Sequence, residues 1–290
     1  MLKRIFRYIL FLAIIFSWQS CKEDDPSVNS SRLRIKLTDA TATVLSEFHL
    51  DIREISVFLL DLSTNEGEWV SLDFSGRTYD ILTLTNGKMV QMVDQYVPAG
   101  TELQKIKLLF GGGSSITLIS ETKKEEIPLH IPPELQDGLE IDAVNMEMRL
   151  NTISSMVIDV NAAFSFVESD GTYFLTPMVR AFPETFGGKL KGYVAPLIAN
   201  PLVAIVYDKD TLFSLPVREK QDDRMAMFQF VGLKEGEWEI HVLADPQTAY
   251  LDTVFNFTVE AGKTNSITPI PIQLKTPSVP DPDPDPEPEE

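Results

Sequence analysis

The chain has 290 residues, of which 43% are apolar and 23% charged, and its 15 glycines and 19 prolines are too few for a collagen-like or wholly disordered chain; the length suggests two domains. With 25 basic residues against 43 acidic ones the formal charge is −18, which argues against a nucleic-acid binder or a protein held to anionic lipid by charge, because phosphate contacts need clustered Lys and Arg. Lys3, Arg4 and Arg7 precede nine apolar residues at 8–16 and a polar turn at 17–20, the pattern of a secretory signal peptide over 1–20. Nine residues at about 1.5 Å each cover less than half of the roughly 30 Å hydrocarbon core, so this segment is too short for a membrane span.

Cys21 is the single cysteine and directly follows the small Ser20. It cannot form an intramolecular disulfide, and both domains must be stabilised by core burial without cross-links. Residues 21–30 are polar and read as a tether.

Period-two patterns dominate from there. Leu33, Ile35 and Leu37 share one strand face and Arg34 and Lys36 the other. Phe48, Leu50 and Ile52 keep one phase, while Ile55, Val57 and Leu59 take the opposite one, which predicts a bulge near Arg53-Glu54. Residues 41–47 are expected to form a short helix or turn. Further strands are expected at 68–72, 79–84, 88–93, 103–110, 116–120, 127–131, 143–150, 156–160 and 174–179, separated by turn signals such as Asn86-Gly87, Gly111-Gly112-Gly113 and Asp170-Gly171. Phe186-Gly187-Gly188 reads as a boundary between a domain over 31–185 and a second over 187–275. The second shows seven short strands, at 190–194, 202–207, 211–215, 225–230, 237–243, 253–259 and 265–274. Residues 276–290 alternate proline with like charges and are expected to be an extended, disordered acidic tail.

Three resemblances add to these patterns. Ser20-Cys21 resembles a bacterial lipoprotein cleavage site, with Trp18 departing from the usual smaller residue, and Cys21-Lys22-Glu23-Asp24-Asp25 resembles the surface-export signal of Bacteroidetes lipoproteins. This implies a thioether-linked lipid on Cys21 and a location at the outer membrane facing the exterior. Leu33 to Ala40 (LRIKLTDA), Tyr79 to Gly87 (YDILTLTNG), Val97-Pro98-Ala99-Gly100, Ile158-Asp159-Val160-Asn161 and Tyr173 to Arg180 (YFLTPMVR) resemble, in order, an uncharacterised family of exported domains, domain of unknown function four-three-eight-two. That family implies an architecture but no activity. Phe228 to Val242 (FQFVGLKEGEWEIHV) resembles the carboxypeptidase-regulatory or transthyretin-like sandwich, although its opening Thr-Asp-x-x-Gly turn is replaced by Gln221-Asp222-Asp223-Arg224.

The segments that could carry chemistry read more simply as structure. Gly262-Lys263-Thr264 lacks the earlier glycine of a phosphate loop and the helix that should follow it, so a hairpin turn is expected. Gly111-Gly112-Gly113 reads as a flexible hairpin loop. His49, His130 and His241 are far apart and unpaired in sequence, which does not suit a zinc site. The acidic groups Asp208-Lys209-Asp210, Asp222-Asp223 and Asp159-Val160-Asn161 follow no calcium-loop spacing and are expected to be solvated turns. Trp69, Trp238, Phe164 and Phe166 are expected in core packing rather than in a glycan-stacking strip. Asp210-Thr211-Leu212 and Asp252-Thr253-Val254 resemble the O-glycosylation pattern of the Bacteroidetes.

The sequence thus predicts an all-β, two-domain lipoprotein, a β-sandwich-like first domain followed by a seven-stranded transthyretin/Ig-like sandwich. Cys21 is its lipid-attachment residue. No catalytic residue, cofactor or metal is expected. The expected role is non-enzymatic, a binding or structural module whose partners are the membrane, through the lipid, and a glycan or protein ligand, with no nucleic acid. Two alternatives remain: an accessory subunit of an outer-membrane transport or pilus assembly docking through a strand edge, or a glycan-processing enzyme with two carboxylates about 5 to 9.5 Å apart.

Overall fold

The computed structural model describes residues 25–40, 45–119, 125–219 and 222–275. The leader, Cys21, residues 41–44 of the expected helix or turn, and the acidic tail lie outside the described residues. No helix among the described residues is long and apolar enough to cross a membrane.

The protein is all-β. The first body contains β1 (Ser30–Ala40), β2 (Leu45–Asp61), β3 (Gly67–Ser71), β4 (Arg77–Asp80), β5 (Val90–Pro98), β6 (Thr101–Phe110), β7 (Ser115–Leu118) and β8 (Glu126–Pro128). It continues with β9 (Leu139–Met148), β10 (Ile153–Asn161), the hairpin β11 (Phe166–Ser169) and β12 (Thr172–Leu175), and β13 (Val179–Pro183). Eleven of these strands make one sheet in the order β5-β1-β10-β13-β9-β6-β2-β7-β8, with β3 and β4 also paired to β2. Its two halves meet at a single parallel pairing, Ala181 with Ala143. Leu33, Ile35 and Leu37 of β1, Ile158 and Val160 of β10, Ile55 and Val57 of β2, and Ile106 and Leu108 of β6 all enter one core. The sheet therefore folds over on itself.

The sequence expectation for β2 holds in detail. Ile52 pairs with Phe110 and Glu54 with Leu109, so Arg53 is the extra residue of a bulge. Both Ile52 and Ile55 are then fully buried, because the bulge returns the second apolar series to the core face. Two expectations are corrected. Residues 45–47 are the start of β2, where Leu45 is buried and pairs with Leu118; pairing with β7 fixes the extended form that local propensity left open. The strand expected at 79–84 ends at Asp80 and gives way to a 3₁₀ turn, Ile81–Leu84, that inserts Ile81 into the core.

The second body has β14 (Gly188–Ala195), β15 (Leu202–Tyr207), β16 (Asp210–Ser214), β17 (Val217–Glu219), β18 (Asp222–Leu233), β19 (Gly236–Leu243), β20 (Thr253–Val259), β21 (Thr264–Ser266) and β22 (Ile270–Pro271). They form a five-stranded sheet, β17-β18-β14-β21 with β22 also on β14, and a four-stranded sheet, β16-β15-β19-β20. A sandwich is present, but with nine strands rather than seven. Val217–Glu219 adds an edge to β18, and Pro269 and Pro271, which lack an amide donor, leave 265–274 as two short strands that each pair parallel with β14. Gly262-Lys263-Thr264 is a turn as expected but not a hairpin, since it carries the chain from β20 in one sheet to β21 in the other. The core holds Leu190, Phe228, Trp238, Ile240 and Val259, with the Trp238 indole N–H donating to the Lys234 carbonyl at 3.0 Å.

Phe228 is fully buried, and truncation of such a ring leaves a cavity. Phe228→Ala is expected to destabilise the protein by about 3–5 kcal/mol, seen as a lower midpoint in urea-induced unfolding.

Candidate binding cleft between the two cores

The two bodies are joined by polar bonds set around a small third core. β10 and β13 are antiparallel neighbours with Asp159 opposite Arg180. The Arg180 guanidinium donates to Asp159 Oδ2 from Nε at 2.8 Å and from Nη2 at 2.5 Å. It then reaches into the second body, donating to the Val231 carbonyl at 2.9 Å and the Gly232 carbonyl at 3.2 Å, while its Cζ lies over the Phe182 ring, 4.9 Å from the ring centre. Phe182 packs with Val157 and Val231 in the third core, with Met89 and Phe186 beside it. Gly232 has φ +63° and a side chain there would meet the Phe182 ring at 2.2 Å, so only glycine allows this approach.

A second contact comes from the Asn86-Gly87 turn. Asn86 adopts φ +57°, a conformation Asn tolerates. Its Oδ1 accepts from the Ser214 hydroxyl at 3.0 Å and from the Gln229 amide at 3.2 Å, and its Nδ2 donates to the Leu215 carbonyl at 3.3 Å. On the same side of the sheet Lys36 donates to both oxygens of Glu184, at 2.8 and 2.7 Å, and this bond holds the Glu184 carboxyl below its usual range.

Beside the clamp lies a cleft of about 680 Å³. Phe164, Met178 and Val144 of the first body line it together with Phe213 of the second. Phe164 and Phe213 meet in its wall, their rings in tilted contact with centres 5.4 Å apart. Phe164 is 47% exposed and Met178 53%, unusual for adjoining large apolar side chains. The rim carries Asp142, Lys209, Asp210 and Lys234; Asp210 faces Lys234 at 3.6 Å and Asp142 faces Lys105 at 3.7 Å. The floor is the Asp159–Arg180 pair.

Several sequence expectations change here. Asp159 and Asn161 are not solvated turn residues: they are 4% and 6% exposed, on the face of β10 that lies toward the second body. The Asp208-Lys209-Asp210 group does sit at an exposed hairpin turn, between β15 and β16; the Asp222-Asp223 side chains lie outside the described residues. Phe164 is not in a core but on the 3₁₀ turn Ala162–Phe164 at the cleft wall. Trp69 is 38% exposed on β3, edge-on to Phe58 and with the Lys107 ammonium 5.0 Å from its ring centre. Trp238 and Phe166 pack against the second and first cores as expected. The Gly111-Gly112-Gly113 loop is pinned rather than loose. Gly111 donates to the Asp51 carbonyl at 2.8 Å and Gly113 to Asp51 Oδ2 at 2.9 Å, and a side chain on Gly111 would collide with that carboxylate at 2.2 Å.

The three histidines stand apart. His49 Nδ1 is 3.5 Å from the Ser115 hydroxyl, but that hydroxyl donates to Glu126 at 2.6 Å. His130 lies against Phe174 and His241 bonds Glu239 at 2.5 Å. Among the described residues no group of three or more His, Cys, Asp or Glu is placed to hold a metal ion. Sequence inspection missed Arg180, Asn86 and Phe164 as junction and cleft residues. The signal for Arg180 was an arginine inside the apolar run Val179 to Phe182, where a charge needs a buried partner.

The fold and its junction define an all-β protein of two sandwich-like bodies sharing one cleft. The family model for the domain of unknown function DUF4382 matches residues 30–177, just over half of the chain, and the chain belongs to that family. No curated protein matches it. Among solved structures it is similar to the Bacillus anthracis TIE protein, at 10% identity and TM-score 0.23, covering 85% of this chain but 34% of that one. It is also similar to the shaft pilin SpaA from Lactobacillus rhamnosus GG, at 8% identity and TM-score 0.22, covering 84% and 97%. The fimbrial anchor protein Mfa2 from Porphyromonas gingivalis is 13% identical with TM-score 0.22, covering 77% and 82%. Scores this low carry no argument about what this chain does.

Arg180→Leu strands a buried carboxylate and is expected to lower stability by about 3–5 kcal/mol. Asp159→Asn combined with Arg180→Leu should recover much of that loss, so a double-mutant cycle in urea should give a large coupling between the two positions.

Proposed function

We propose that the protein is a non-enzymatic binding module of the cell surface, lipid-anchored in the outer membrane through Cys21, that takes a glycan or protein segment with one apolar face into the inter-domain cleft. The observation that carries this proposal is the cleft wall: Phe164 and Met178 stay exposed in a concave site of about 680 Å³, within the size range of ligand sites. Apolar surface of this kind is stabilised when a partner covers it. The floor supports binding over acid–base chemistry, because Arg180 is already bonded to Asp159 and two carbonyls and the rim carboxylates each face a lysine. The second sandwich, read as a transthyretin-like module, extends the apolar wall through Phe213, which packs on Phe164.

Purified protein presented with panels of glycans and of peptides should bind members of one panel, and Phe164→Ser should weaken that binding by about tenfold or more, the loss expected for a contact in a desolvated site, without lowering the melting temperature. Binding unaffected by Phe164→Ser would remove the cleft from consideration. The accessory-subunit alternative is favoured by β20, which pairs only with β19 in its sheet and leaves Val254 54% exposed; its signature would be binding lost on substitutions in β20 and retained in Phe164→Ser.

The anchor is tested separately. Several acyl chains at about 0.8 kcal/mol per buried methylene hold a protein at a membrane essentially permanently. Cys21→Ala should therefore abolish acyl labelling and move the protein out of the membrane fraction after a high-salt wash.

A further inference from the structure

Several strands of the first body meet at one end: β1, β6 and β10 begin there, and β2, β5 and β9 finish there. Backbone bonds tie their connecting segments together. The Ala99 amide donates to the Asn29 carbonyl at 3.0 Å, Leu62 to Gly100 at 3.1 Å, Gly100 to Met148 at 2.8 Å and Asn151 to Ser30 at 3.0 Å. These segments carry Val28, Leu62 and Leu150, and Ile153 opens β10 beside them. All four side chains are 49–65% exposed. The first three lie in turns, where Gly, Asn, Asp and Ser serve the backbone geometry and a large exposed aliphatic side chain adds nothing to the core. Clustered apolar surface of this kind marks a contact with protein or membrane.

The chain enters the body at this same end. The Val28 amide donates to the Asp25 carbonyl at 3.0 Å and the Ser30 hydroxyl to the Pro26 carbonyl at 2.8 Å, so the chain is fixed to the body from Asp25 onward. Four peptide units separate Asp25 from Cys21, and at about 3.8 Å each they cannot span more than about 15 Å. A lipid on Cys21 therefore keeps this end close to the bilayer surface. The arginines of these segments are already occupied, Arg149 by Glu147 at 2.9 Å and Arg32 by Asp94 at 3.0 Å, which favours apolar contact over attraction to anionic headgroups.

We infer that this end of the first body is a membrane-contact surface, with Val28, Leu62, Leu150 and Ile153 set against the headgroup and acyl boundary of the bilayer that holds Cys21. The inference rests on the lipid proposed for Cys21. Interfacial binding grows with the apolar area buried, and four side chains give too little to hold an untethered protein. A short tether makes the same contact intramolecular, at an effective concentration on the order of millimolar, and a weak contact is then populated. The orientation that results bears on the cleft. β10 runs from Ile153 at the docked end to Asn161 beside the cleft, roughly 25 Å along the strand at about 3.3 Å per residue. Docking thus turns Phe164 and Met178 away from the lipid and toward partners outside.

The test uses the protein isolated in detergent and reconstituted into phosphatidylcholine vesicles, with and without bromine on the acyl chains, which quenches tryptophan at the acyl boundary. Acyl labelling and flotation with the vesicles report the anchor by themselves. If Cys21 carries no acyl chain, coupling its thiol to a maleimide lipid supplies the same tether, so the surface is tested whether or not the anchor exists. Relative to the parent, the emission added by Leu150→Trp should be lost in brominated vesicles, while that added by Met178→Trp, at the cleft, should be kept. Adding Val28→Ser and Leu62→Ser to Leu150→Trp should restore the emission without lowering the melting temperature, since these side chains are exposed. Equal quenching at positions 150 and 178, no quenching at 150, or quenching that survives the two serines overturns the proposal.

Discussion

Arg180 holds the two bodies of this protein in contact. A guanidinium has five N–H donors in a rigid plane and cannot be deprotonated at any ordinary pH. Here Nε and Nη2 meet the buried carboxylate of Asp159, and Nη1 and Nη2 meet two successive carbonyls of β18. The carboxylate is thereby neutralised, and the carbonyls are satisfied by a charged donor, a stronger bond than a neutral amide supplies. The rest of the junction follows from this placement. Phe182 stacks against the guanidinium, Gly232 has no side chain to obstruct that ring, and Asn86 closes the other side of the contact. Without the pair, the third core of Phe182, Val157 and Val231 would be too small to fix one body on the other.

The cleft is a consequence of how the first sheet closes. β10 lies between β1 and β13, parallel to the first and antiparallel to the second. It sends Ile158 and Val160 into the first core and presents Val157, Asp159 and Asn161 on the opposite face, toward the second body. One strand therefore supplies core, clamp and cleft floor by simple alternation. The chain leaves β10 through the turn that carries Phe164 and returns through Met178 into β13. The two most exposed apolar residues of the wall thus flank an excursion from the same pair of strands that holds the clamp.

The sequence displayed this architecture unevenly. Local patterns were legible: the phase slip in β2 marked the bulge at Arg53, Asn86-Gly87 marked a turn with left-handed backbone, and most strands of both bodies stood out by alternation. Pairing was not. β1 meets β10 more than a hundred positions along the chain, and no periodicity encodes a parallel partner at that distance. The same gap hid the site. Asp159 lies in the run Ile158-Asp159-Val160-Asn161, where alternation alone places it on the face away from the first core, and without the second body that face looks solvated. Phe164 looked like a core residue for the opposite reason: its neighbours are apolar, and only the turn after β10 reveals that its ring leaves the first core to meet Phe213 of the second body, half exposed at the cleft wall.

The buried acids show how consistently the fold treats charge. Asp51 is almost fully covered, yet its carboxylate meets Arg53 at 2.7 Å and the Gly113 amide at 2.9 Å, and the glycine loop is what lets the backbone come that close. Asp159 has its arginine. Asp94, nearer the surface, joins Arg32 and Arg34 and is held below the usual carboxylate range chiefly by its bond to Arg32. Each of these acids is supplied with a cationic side chain within a few residues or on a neighbouring strand. Asp39 shares their burial but has only one amide, and Asp80 beside it has an open oxygen of its own. Because an unpaired buried carboxylate is among the more destabilising features a core can contain, burial holds the Asp39 carboxyl well above its usual range, whereas the buried acids supplied with an arginine keep their charge compensated within the fold.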